Sequence, residues 1–78
     1  MALNISREDA NNVLAFYRSG EGYDGGTFTN KLLSAIASAD VHNRAKLRGA
    51  YPELVEAMQA AATSPWGIDE IRKIAGGR

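Results

Sequence analysis

The chain has 78 residues, nine basic and nine acidic side chains, one histidine and no cysteine. That length is enough for one domain with a thin core, burying about 60–65% of the surface its unfolded chain exposes. Disulfides are excluded and a zinc site lacks its ligand set, so self-association is the remaining way for so small a domain to gain stability. Zero net charge argues against a nucleic-acid binder, which draws its affinity from a basic excess. No apolar run approaches the roughly 20 residues of a membrane span, and Met1–Ser6 lacks the pattern of an export signal, so the expected location is the cytoplasm.

In chain order, the first predicted helix opens at Ser6, with Asp9 three residues on as a variant of the capping box. Ala10, Val13, Leu14 and Tyr17 then fall on one face, widened by Phe16, and Gly20 is a natural stop. Residues 20–26 contain four glycines and hold no regular element. A second helix follows, capped by Thr27 or Thr29. Its expected apolar face is Phe28, Leu32, Ala35, Ile36 and Ala39, with Leu33 pointing elsewhere. Asp40 caps the third segment. From Leu47 the apolar period runs through Ala50, Tyr51, Leu54, Val55, Met58, Ala61 and Ala62, although Pro52 sits inside it. Proline removes a hydrogen bond and clashes with the carbonyl of Arg48, so this helix is either kinked or split there. The unbroken period favours the kink. Ser64-Pro65 reads as a cap followed by proline in the first helical position. Ile68, Ile71, Ile74 and Ala75 form the face of the last helix. The expectation is an all-α fold: one domain over 1–78, a compact bundle of four helices with no β-sheet, and flexible ends at 1–5 and 76–78.

Three constellations are candidates for function. The glycine-rich entry to the second helix combines Gly25, Gly26, Thr27 and Thr29 with Lys31 in the first turn. Free backbone N–H groups and the positive end of a helix dipole suit a phosphate there, and Tyr23 is placed to stack on a base. The loop lacks the preceding strand and the GK[ST] ending of a Walker loop, and Asp24 counts against an anion unless it meets a ribose or a base. Arg44 and Arg48, four residues apart on a helix, can reach one anionic group together. His42 stands alone, without a nucleophile elbow or a metal-holding unit around it, so catalysis is not expected. Phe16, Leu33 and Trp66 lie off the main faces and are candidates for protein contact.

The stretches Phe16–Gly20, Gly25-Gly26-Thr27-Phe28-Thr29, Ala39-Asp40 with Asn43-Arg44, and Tyr51-Pro52-Glu53-Leu54-Val55 resemble small helical proteins of bacteriophages and prophages, above all those of actinobacterial hosts. The similarity covers about two thirds of the chain. No activity attaches to that group. The resemblance implies a phage accessory role, of which sequestration of nucleotide second messengers against host defence is one example. Three functions therefore compete. The first is a non-enzymatic homo-oligomer that sequesters a phosphorylated nucleotide through Tyr23, Gly25, Gly26, Thr27, Thr29, Lys31, Arg44 and Arg48, without any cofactor or metal. The second is an inhibitor or adaptor that binds a host protein through an apolar helix face. The third is a helix-turn-helix built from residues 27–39 and 41–50.

Overall fold

The computed structural model describes residues 3–76. Within them the chain forms five helices and no strand: α1 (Arg7–Tyr17), α2 (Thr27–Ser38), α3 (Val41–Ala50), α4 (Pro52–Thr63) and α5 (Gly67–Gly76). The all-α class holds, with one helix more than expected.

The extra helix comes from Pro52. Proline has no N–H to continue α3, and its ring drives the residue before it out of the helical region. Tyr51 accordingly sits at φ −134°, ψ 64°, ending α3 and starting α4 at once. Its N–H donates to the Leu47 carbonyl (2.7 Å) and its own carbonyl accepts from the Val55 N–H (3.0 Å). The continuous, kinked helix favoured by the apolar period is therefore split, with proline in the first turn of the new helix. Two caps form as expected. The Ser6 hydroxyl accepts from the Asp9 N–H (3.0 Å), and the Asp40 carboxylate accepts from the Asn43 N–H (2.8 Å). Pro65 lies in a turn ahead of α5, closed by the Gly67 N–H donating to the Ser64 carbonyl (3.1 Å).

Helix α4 is the hub and packs against all four others, while α1 lies along α5. The molecule is only 18 Å through its thinnest dimension, about two layers of helix. The core joins Val13, Leu33, Ile36, Val55, Met58 and Ile71, each at most 2% exposed. On α2 the buried face is Leu33 and Ile36, whereas Phe28 is 69% exposed and Ala35 lies on the surface. Ile36 is buried as expected, but the buried face is turned by about a quarter turn from the expected one, and Leu33 points inward. Apolar residues on α2 extend around more than one face, and packing on α1 and α4 buries the side carrying Leu33 and Ile36.

Of the ends expected to be flexible, residues 1, 2, 77 and 78 lie outside the described residues. Leu3, by contrast, is buried and Ile5 packs against the core, because apolar side chains ahead of α1 help close a thin bundle. No described helix is long and apolar enough to cross a membrane.

Candidate functional site

The glycine-rich loop is tied down on three sides. The Tyr23 N–H donates to the Asn11 carbonyl (3.3 Å), and the Tyr23 carbonyl accepts from the Asn12 side-chain amide (3.0 Å). Asn12 is the one buried polar side chain among the described residues. On the far side the Glu21 carboxylate forms a two-pronged pair with the Arg72 guanidinium of α5 (2.8 and 3.0 Å), and Arg72 also reaches Asp69 (2.9 Å). The Glu21 carboxyl is held below its ordinary pKa, first by the Arg72 hydrogen bond. Arg72 is pushed up by the same bond.

Two glycines are explained by close approach to α1. A Cβ on Gly22, which has φ +64°, would overlap the Asn11 carbonyl, and one on Gly25 would crowd the Asn12 side chain at 2.6 Å. The backbone comes close here to α1 itself.

At the start of α2 the position open to an anion is filled from within the chain. The Asp24 carboxylate accepts from the Gly26 N–H and from the Asn30 side-chain amide (2.8 Å). These two donors, Asn30 foremost, hold the Asp24 carboxyl below its ordinary pKa. Gly26 is the N-cap residue, so neither Thr27 nor Thr29 caps the helix through its side chain. Thr27 and Lys31 are exposed on α2, Thr29 is half-buried and Tyr23 is exposed at 51%.

The basic pair belongs to another part of the molecule. Arg44 donates to the Ala39 carbonyl at the end of α2 (3.0 Å), eight residues and about 12 Å of helix beyond Lys31. Arg48 donates to the Gln59 side chain on α4 (2.8 Å). The structure therefore brings Tyr23, Gly25, Gly26, Thr27, Thr29 and Lys31 to one end of α2, and turns Arg44 and Arg48 towards α4. Arg44 also opposes the effect of burial on Tyr17, whose pKa rises on balance because burial is the larger effect. Tyr17 stacks edge-on against Phe16 at 5.0 Å between ring centres.

A surface that the sequence disguised lies between α2 and α3. These helices are joined by only Ala39 and Asp40, and each leans on α4 without packing closely on the other. Two depressions follow one another along the crease. One, of about 280 Å³, is lined by Ile5, Asp9, Phe28, Leu32, Tyr51 and Glu53 among others. The next, of about 510 Å³, is lined by Ala35, Ala39, Asn43, Lys46 and Leu47 with Ser38 and Asp40. Phe28, Leu32, Ala35 and Ala39 recur at i, i+4, i+7 and i+11, so they form one arc of α2. This is the stripe the sequence presents as core, yet it faces the open crease. No residue of α3 is fully buried, and Val41 is 84% exposed.

No family model, curated protein or solved structure matches the chain.

Proposed function

We propose that this chain is a non-catalytic protein-interaction module whose α2–α3 crease docks a helix. The observation that carries this is the uncovered apolar arc Phe28–Leu32–Ala35–Ala39, walled on the other side by Leu47, Ala50 and Tyr51. A 78-residue chain with little core to spare leaves a phenylalanine 69% exposed at the mouth of a groove. Apolar surface concentrated in a concave strip, rather than scattered singly, marks a binding face. The polar edge formed by Lys31, Ser34 and Ser38, all exposed, bounds the strip as a rim bounds an interface core. The resemblance to small phage proteins fits an accessory role of this type.

Nucleotide sequestration draws less support from the same geometry. A phosphate at the start of α2 must displace the Asp24 carboxylate, and it would find neither Arg44 nor Arg48 at that end. A helix-turn-helix needs its two helices packed on one another, whereas α2 and α3 scarcely touch.

The test is a titration of the ¹⁵N-labelled chain with a model amphipathic Leu/Lys helix. Shifts confined to residues 28–39 and 43–54, lost in Phe28→Ser, are expected. Shifts centred on residues 21–31 instead, or none, would overturn the proposal. In parallel, cyclic dinucleotides and ADP-ribose should leave the melting temperature unchanged. A bound ligand at 100 times its Kd would stabilise by about 2.7 kcal/mol and be plain in that assay.

A further inference from the structure

We infer that the helix seated in the α2–α3 crease is α2 of a second copy of this chain, in a two-fold dimer with the two α2 helices antiparallel. This rests on the crease being a docking face and names its occupant.

The first ground is shape. The arc of α2 that faces the crease tapers, with exposed Phe28 and half-buried Leu32 at its N-terminal half and exposed Ala35 and half-buried Ala39 at its C-terminal half. A two-fold axis crossing between positions 33 and 34 sets Phe28 of each copy against Ala39 of the other, and Leu32 against Ala35. Large residues then meet small ones along the whole strip. This is the self-complementarity a two-fold interface requires, since the same patch must serve on both sides. With Leu32 meeting Ala35 on either side of the crossing, the helix axes can approach to about 8–9 Å, within the usual range of helix packing. A parallel arrangement would set Phe28 on Phe28 and leave the alanine half unfilled.

The second ground is charge. Asp9 and Glu53 line the floor of the Phe28 end of the crease, with Lys31 outside it on the rim, and Lys46 lines the Ala39 end. Antiparallel pairing brings the acidic end of each copy to the lysine end of the other. Asp40, also at the lysine end, is committed to the Asn43 N–H. The net charge of zero leaves no overall repulsion between copies.

The third ground is extent. The two depressions are lined by eleven and by seven residues with none in common, against roughly 20–30 residues per side in a standard stable interface. The dimer therefore belongs at the small end of that class, with a Kd on the order of 10 µM.

The absence of cysteine makes the geometry directly testable, because a single introduced thiol reports one position. Ala35→Cys lies next to the axis, its two copies about 4–5 Å apart along the helices, and should cross-link to itself with a short bismaleimide. Ala39→Cys stands about 16 Å from its own copy along the helices. It should fail to cross-link alone, yet do so when mixed with Phe28→Cys. Sedimentation equilibrium of the unmodified chain should show a monomer–dimer equilibrium, and Ala35→Arg should raise the Kd at least 100-fold with helicity, and melting at about 1–2 µM where both chains are monomeric, unchanged. A monomer at 1 mM, a dimer indifferent to Ala35→Arg, or self-cross-linking at position 39 but not 35 would each overturn the inference. If a monomeric chain still answers the Leu/Lys helix through residues 28–54, only the second copy is lost. If it answers nothing there, the docking face falls as well.

Discussion

The placement of α2 can be tested by two adjacent leucines whose burial differs. Leu33 is fully buried in the core, whereas Leu32 is half-buried and lines the α2–α3 crease. Truncating Leu33 to alanine removes apolar atoms from water-free contact and leaves a cavity that a thin core can only partly close. Such changes cost 2–5 kcal/mol, and about 3 is expected here. A chain of this length is stable by about 4–12 kcal/mol, so Leu33→Ala takes a quarter or more of the whole. Leu32→Ala, on a face still open to solvent, should cost about 1 kcal/mol or less. For a domain of this size each kcal/mol lowers Tm by about 4–8 °C, so the two variants should differ by roughly 10 °C or more. Urea unfolding followed by circular dichroism at 1–2 µM, on the order of a tenth of the inferred Kd, keeps self-association out of the comparison. If Leu32→Ala proved as damaging as Leu33→Ala, α2 would be rotated from the position described, and the crease would lose its apolar wall.

Asn12→Ala should cost about 1–2 kcal/mol, since it removes the hydrogen bond to the Tyr23 carbonyl together with buried packing under Gly25, and the loss should show as faster amide exchange in residues 21–26. Gly67→Ala should cost about 1–3 kcal/mol, because a Cβ there overlaps the Ala60 carbonyl and forces α5 away from α4; a variant melting within 2 °C of the parent would contradict that packing. The carboxyls of Glu21 and Asp24 both titrate below their ordinary values in the folded chain. The folded state therefore binds fewer protons than the unfolded one, and the stabilisation is complete above the unfolded pKa of about 4. It is lost as the pH falls further, through the folded values. Tm should accordingly decline below about pH 4, with Asp24→Asn and Glu21→Gln flattening that decline; an unchanged slope in the double variant would refute the two pairings.

How much was legible in advance depended on whether a residue's role is local. The caps at Ser6 and Asp40 were readable because a cap needs only its own helix turn. The core face of α1 was readable because Ala10, Val13 and Leu14 have no rival apolar stripe on that helix. The glycine loop was found for the right composition but the wrong neighbour: its glycines answer to Asn11 and Asn12, eleven or more residues earlier. Asn12 itself gave no signal, since an asparagine within an apolar stretch reads as surface. Arg44 and Arg48 share a helix spacing, yet their partners lie apart, Ala39 in the link between α2 and α3 and Gln59 on α4.

By itself, then, the sequence determined that the chain is helical, where α1 and α3 begin, and that no disulfide holds it. Those properties follow from residue chemistry and from interactions within about one turn. Tertiary structure decided the rest. Pro52 set a steric clash against an unbroken apolar period, and the break prevailed, with α3 packed back onto α4. Helix α2 offered apolar residues around more than one face, and only contact with α1 and α4 could choose Leu33 alongside Ile36 over Phe28, Leu32 and Ala35. A helical period identifies stripes but not their partners. The stripe left uncovered by that choice is the surface from which this protein's function is argued.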